Sequence, residues 1–298
     1  MTSFLLKNEM SREVENFKKI IRGDFKEYCK QNSDETEENE KKEPKKVIAD
    51  ALYAGYLDTC RTIKWGEHQK KDIKDIFECK DSENDTSIID DIVECISCNK
   101  KQDEFDKYHD NMCRKLIKNF DSIIAYGQAQ KIINMAFKYL YCIETIDRGC
   151  FKNCHMPLDS FTLEWIYRAY IKDQELKKDF GNLVNSVWKQ GKKVKKGAIG
   201  SWSSMGFCKE DSGDKLSYLF YLKLLRQNFK DESLLELDFY VWPRIQKIMA
   251  AEAFIKVFKD DSNEQFDDLK EENEDYKIDK LECTLKRRTN IVEEIIKK

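Results

Sequence analysis

From Ala125 to Cys142 the chain reads AYGQAQKIINMAFKYLYC, and its polar positions fall in a narrow line rather than over half of a helix surface. Placed at ~100° per residue, Lys131, Asn134, Lys138 and Tyr141 share one quarter of the circumference, with Gln130 at its edge. Ile132, Ile133, Ala136, Phe137, Tyr139 and Leu140 fill most of the rest. A helix that is apolar on most sides is buried on most sides. The same helical period predicts a helix over residues 10–29, with Val14, Phe17, Ile20, Ile21, Phe25 and Tyr28 recurring. A second is predicted from Val47 to about Ile63, burying Ile48, Leu52, Tyr53, Tyr56 and Leu57. Residues 70–145 continue in that period, with breaks near KDSENDTS and SCNKKQDE. Further helices are expected from about Ser160 to Lys172, Lys215 to Phe229 and Val241 to Phe258.

Two segments interrupt this pattern. Gln31 to Lys46, QNSDETEENEKKEPKK, is charged and has no core residue, and is expected to be a mobile loop. Ser186 to Phe207 holds four of the 11 glycines and is expected to be the main loop. With only 11 glycines and 3 prolines, the chain lacks the frequent turns of a sandwich or barrel. The fold class expected is all-α: one continuous two-lobed helical domain over residues 1–298 with a central cleft. Residues 120–229 would form the lobe carrying the candidate site, and 1–119 with 230–298 the other. No internal repeat of fixed period is present.

Composition narrows the function classes. At 298 residues, 41% hydrophobic and 12% aromatic, there is ample material for a packed core. Lysine and arginine number 53 against 56 acidic residues, so binding to nucleic acid must come from local patches and not from a global field. No apolar run approaches the ~20 residues of a spanning helix. The first residues, MTSFLLKNEMSREVENF, lack the pattern of a signal peptide. A cytoplasmic monomer without membrane contact is therefore expected. The 11 cysteines are scattered among helical segments, as small buried hydrophobes would be.

Lys131 on its apolar helix faces either a narrow solvent strip, which the helix by itself favours, or a water-poor cleft. In a cleft, desolvation favours the neutral amine, which can attack carbon and form a Schiff base. Asp159, in CHMPLDSFTLEW, also has two readings. Its carboxylate can cap the helix beginning at Ser160. It can also supply fixed negative charge opposite a developing positive charge.

Gln130-Lys131 opening a helix in GQAQKIINMAFKY, followed by an apolar-Pro-apolar-Asp-Ser stretch in MPLDS, resembles the helix-hairpin-helix DNA glycosylases. The likeness is to their archaeal-type 8-oxoguanine branch, and it covers about residues 120–165. The resemblance implies an all-helical, two-lobed fold binding double-stranded DNA across the cleft. It implies Lys131 as Schiff-base nucleophile and Asp159 as catalytic aspartate, with no cofactor. Gln130, Asn134 and Lys138 would bind substrate, and Trp165 and Trp202 are aromatic faces on which an extruded base could stack. Gly127 stands where the family's glycine hairpin would meet a DNA phosphate. Oxidised guanine is the implied substrate. A modified base in foreign DNA, which would make the chain a defence enzyme rather than a repair enzyme, is equally open.

Lys189, Lys192, Lys193, Lys195 and Lys196 in WKQGKKVKKGAIGSW, beside Trp188 and Trp202, suit a DNA backbone, although lysine runs are commonly solvated loops. Cys95 and Cys98 form a CxxC, and Cys150, Cys154 and His155 lie close together, but no second CxxC completes a zinc set, so no metal is assigned. Arg148 and His155 fit the loose Arg-to-His spacing of HEPN ribonucleases, the alternative enzyme class. A third reading is a non-catalytic helical interaction protein, in which the stripe is a contact surface and Asp159 only a cap.

Overall fold

A computed structural model describes residues 44–65, 72–79, 86–97, 100–142, 148–172, 201–208, 217–229 and 232–250, together with isolated positions. The helix expected over 10–29, the lysine-rich stretch 189–196 with Trp188, and the end of the helix expected at Val241 to Phe258 lie outside these residues. The described residues are helical, with no strand among them. Among them no helix is long and apolar enough to cross a membrane. The chain divides into a unit of Met1–Tyr240 and a unit of Val241–Lys298. The candidate site lies in the first.

Helix α1 runs from Pro44 to Leu57, three residues earlier than its hydrophobic period begins. Pro44 suits a first turn, where its missing N–H would have had no partner, so Pro44 to Lys46 leave the expected loop. A short 3-10 turn at Cys60–Thr62 follows α1 in place of a continuous helix to Ile63. Ile48, Leu52 and Tyr56 are buried as expected, but Leu57 is 46% exposed. α2 (Ile73–Glu78) is capped by Asp72, whose carboxylate accepts from the Lys74 N–H at 2.9 Å. α3 (Ile88–Ser97) starts with Ser87 and Asp90 satisfying each other's backbone N–H groups. α4 spans Gln102–Asn119, and the Glu104 carboxylate reaches back to the Lys101 N–H.

The turn out of α4 uses left-handed backbone at Asp121 (φ 51°) and Ser122 (φ 61°), and leads within a few residues into α5, Tyr126–Tyr141. α5 is the centre of the described structure: α1 and α4 pack on it, as do the 3-10 turns at Arg148–Phe151 and Trp202–Ser204. Every residue of α5 is buried except Met135 and Tyr139. α1 can lie close across α5 because residue 55 is glycine; a Cβ there would sit 2.5 Å from the Ile132 carbonyl oxygen. α6 (Ser160–Lys172), α7 (Tyr218–Asn228) and a helix over 234–250 complete the set. Ser217 caps α7 through the Phe220 N–H.

Candidate active site

The polar stripe of α5 does not face solvent. Gln130 and Asn134 are 0% exposed, Lys138 2% and Lys131 6%. Charge is seldom buried this deeply without a partner, because desolvation costs several kcal/mol per ion. Each stripe residue has one. The solvent-strip reading fails for that reason: other segments cover the line and bring complementary groups to it.

Lys131 Nζ lies 3.2 Å from Asp159 Oδ2, with both side chains 8% exposed. The other oxygen of Asp159 accepts from the N–H groups of Phe161 (2.9 Å) and Thr162 (3.1 Å) at the start of α6. The capping and charge-supplying readings are therefore not alternatives. One carboxylate oxygen closes the helix and the other faces the lysine. The Trp202 ring completes the surroundings, with its centre 4.7 Å from Lys131 Nζ.

Gly127 places that ring. A Cβ at 127 would fall 1.8 Å from the Trp202 carbonyl oxygen, so only glycine lets the 3-10 turn sit against the first turn of α5. The Gly127 N–H donates to the Met205 carbonyl at 2.9 Å. The donor expected to meet a DNA phosphate is thus used on a neighbouring carbonyl in this structure, where the glycine permits close packing.

Gln130 also differs from expectation. Its Nε2 donates to the carbonyls of Gly127 (2.9 Å) and Leu158 (2.7 Å), and its Oε1 accepts from the Leu158 N–H (3.2 Å) and from Asn134 Nδ2 (3.0 Å). Both hydrogens and both lone pairs are spent. Gln130, expected to bind substrate, brackets the Leu158 backbone here, next to Asp159. Asn134 donates also to Tyr218 Oη at 3.2 Å and accepts from His109 at 2.8 Å. Lys138 is committed too, with its Nζ 2.6 Å from Asp238 Oδ2 and 4.8 Å from the Phe239 ring centre. Burial pushes the Asp238 carboxyl above its ordinary range, with Lys138 acting against the shift. Asn134 and Lys138, expected to bind substrate, are both engaged by protein partners in this structure. Tyr141, last of the stripe, donates to Glu236 at 2.6 Å. Thr162 stands between the two ion pairs, its hydroxyl 3.5 Å from a carboxylate oxygen of each of Asp159 and Asp238.

A polar chain leads away from Asn134. Tyr218 Oη lies 2.8 Å from His155 Nδ1, and His155 Nε2 lies 2.9 Å from Asp106 Oδ1. A carboxylate only accepts, so His155 carries its proton on Nε2 and accepts from Tyr218 on Nδ1. Asp106 ends the chain in a two-bond pair with Arg226, both bonds 2.6 Å. Burial works to raise the Asp106 pKa, but His155 and Arg226 outweigh it and hold the carboxyl well below its usual range. Burial holds His155 below its ordinary value against the pull of Asp106, and holds the fully enclosed His109 further below.

Trp165 packs against Phe229, ring centres 5.7 Å apart. Lys189, Lys192, Lys193, Lys195 and Lys196, and the Arg148 and Cys150 side chains, lie outside the described residues. His155, at 2% exposure, is enclosed by protein. Cys95 and Cys154 are buried, and among the described residues no group of three His, Cys, Asp or Glu is arranged to hold a metal. Sequence reasoning missed Asp58, whose Oδ2 accepts from Tyr139 Oη at 2.9 Å, and Asp238. The only signal for Asp238 was Lys138, a second lysine two turns along a buried line that had to find an anion. No family model, no curated protein and no solved structure matches this chain.

Proposed function

We propose that this chain is a DNA glycosylase that excises a modified base and can capture the sugar as a Schiff base. One observation carries the reading: Lys131 and Asp159, separated by 28 positions and singled out as nucleophile and catalytic carboxylate, meet at 3.2 Å in a buried site under a tryptophan ring. As the C1′–N bond of an extruded nucleotide breaks, positive charge develops on the sugar. The Asp159 carboxylate, oriented by two helix N–H groups, stabilises it as carboxylates do in glycoside cleavage generally. The Lys131 amine attacks C1′ as the base leaves. The C1′–O4′ bond then opens, O4′ takes the proton that the nitrogen gives up, and the Schiff base forms. Loss of a C2′ proton then expels the 3′-phosphate and cuts the strand. Gln130 holds Asp159 in place, and Gly127 allows Trp202 to shield the pair from water. The turn from α4 into the lysine helix gives further support, since it makes two helices joined by a short hairpin with the lysine near the start of the second. Double-stranded DNA is the proposed partner, and oxidised guanine or a modified base of foreign DNA the proposed target.

The test is borohydride trapping on labelled duplexes carrying oxidised, deaminated, alkylated and phage-type modified bases, with an abasic control. A covalent adduct is expected with wild type and none with Lys131→Ala. Asp159→Asn should slow base release by roughly 10²–10³-fold, the usual effect of removing one oriented electrostatic group. Base release without any adduct would remove Lys131 as nucleophile. Neither release nor adduct on any duplex would end the glycosylase reading.

A further inference from the structure

Resting on that glycosylase reading, we propose that Asn134 is a positioning residue of the reaction, fixing through Gln130 and the Met156–Leu158 backbone where Asp159 presents its carboxylate. A carboxylate stabilises a developing charge best when it is already in place as that charge appears. The N–H groups of Phe161 and Thr162 hold one oxygen of Asp159 from the α6 side. The chain that enters Asp159 from the other side is Met156-Pro157-Leu158, and side chains hold each of its carbonyls. Asn134 Nδ2 donates to Met156 at 3.4 Å, Thr162 Oγ1 to Pro157 at 3.0 Å, and Gln130 Nε2 to Leu158 at 2.7 Å.

The directions of these bonds admit one arrangement. The Leu158 N–H cannot change places with its carbonyl, so Gln130 keeps Oε1 toward the former and Nε2 toward the latter. Gln130 Oε1 also faces Asn134 at 3.0 Å, and an acceptor there requires the Asn134 nitrogen. Asn134 Oδ1 then points the other way, to His109 Nε2 at 2.8 Å. The same Asn134 nitrogen lies 3.2 Å from Tyr218 Oη, which sends its own hydrogen to His155, and His155 donates to Asp106. A carboxylate only accepts, so Asp106 dictates the direction from the far end and the Leu158 backbone dictates it from the near end. The two agree at Asn134. The rings of His109 and Tyr218 stack with centres 5.6 Å apart, which holds the two groups that flank the amide against each other. Gln130 and Asn134 are fully buried, so bulk water does not compete for these bonds.

Without the Asn134 amide, Gln130 Oε1 loses one of its two donors and Met156 loses its side-chain contact, so the stretch before Asp159 is free to shift. Lys131 stands apart from this chain, facing Asp159 and the Trp202 ring. Asn134 therefore serves the step that depends on a well-placed Asp159, which is departure of the base. Capture of a sugar whose base is already gone depends on the Lys131 amine instead. Acting through Gln130 and the backbone, Asn134 does not touch the reacting atoms.

The experiment compares wild type, Asn134→Ala and Tyr218→Phe in single turnover, each below its own melting temperature. It reads base release from the duplexes carrying modified bases, and affinity and borohydride trapping on a duplex with a ready-made abasic site. Asn134→Ala is expected to slow base release by roughly 10²-fold, the scale of a displacement of about 1 Å near a reacting centre. Its affinity for the abasic duplex and its rate of trapping should stay close to wild type. Tyr218→Phe removes one acceptor of the Asn134 amide and should slow base release by about tenfold, with the abasic readings again kept. A merely structural role would lower all readings together. Parallel losses, or base release at the wild-type rate, overturn the assignment while leaving the glycosylase reading intact. Should Asn134→Ala fail to fold, Tyr218→Phe decides by the same comparison. Wild type that releases no base from any duplex overturns the assignment and the glycosylase reading together.

Discussion

Lys138 and Asp238 are each 2% exposed and 2.6 Å apart, and nothing in the proposed chemistry needs them to touch substrate. Such a pair contributes little beyond what well-packed apolar residues would, yet removing one partner strands the other charge in the core. Asp238→Asn is therefore expected to cost about 3–5 kcal/mol of unfolding free energy, read from the midpoint of a urea titration. The double change Lys138→Met with Asp238→Leu should recover most of that loss. A single variant as stable as wild type would show that the pair is not buried as described. Lys131→Ala differs in kind, because Asp159 keeps its two helix N–H partners and the main consequence is expected for the proposed chemistry.

At the scale of elements, the site exists because three of them converge on the first turns of α5. The 3-10 turn at Trp202–Ser204 is seated by the absence of a side chain at Gly127, the stretch leading into α6 is pinned by Gln130, and α1 is seated by Gly55. Gly127→Ala would place a methyl group 1.8 Å from a backbone oxygen that cannot rotate away. Overpacking of this sort costs roughly 1–3 kcal/mol. The variant should fold less stably, shift the tryptophan emission and trap abasic DNA more slowly, since Trp202 would move off Lys131. Unchanged emission together with unchanged trapping would separate Gly127 from the placement of Trp202.

For the whole molecule, the buried chain from Asn134 through Tyr218 and His155 to Asp106 and Arg226 makes stability depend on pH. His109 and His155 both sit below their ordinary pKa, chiefly through burial. The unfolded chain binds a proton near pH ~6.5 while the folded chain resists it, so stability is lost as pH falls below ~6.5 toward the folded values. Asp58 and Asp238, raised by burial, act with the opposite sign: the folded form holds their protons more tightly, and stability is lost as pH rises from the unfolded carboxyl range toward their folded values. The histidine contribution is isolated by comparing wild type with His109→Gln. The melting temperature of wild type should fall between pH 7 and pH 5, and the variant should show a shallower fall. Equal slopes would place His109 outside this linkage.

The sequence by itself determined the all-helical class, because scarce glycine and proline and a sustained 3.6-residue period admit little else. It placed α6 from Ser160 to Lys172 as observed, since an aspartate cap after a proline marks a helix start locally. It also singled out Lys131 and Asp159, the two residues that meet. It could not decide which way the α5 stripe faced. A line of polar residues on an apolar helix looks the same whether water or a second polar surface covers it, and the periodicity of one helix carries no information on that partner. Tertiary structure alone brought Asp159 and Asp238 to the stripe, across separations of 28 and 100 positions. It turned Gln130, Asn134 and Lys138 inward onto protein partners, and it spent the Gly127 N–H on a neighbouring carbonyl. The reason is physical. Helices follow from interactions within a few residues, whereas a buried charge is satisfied only by whichever distant segment the packing delivers.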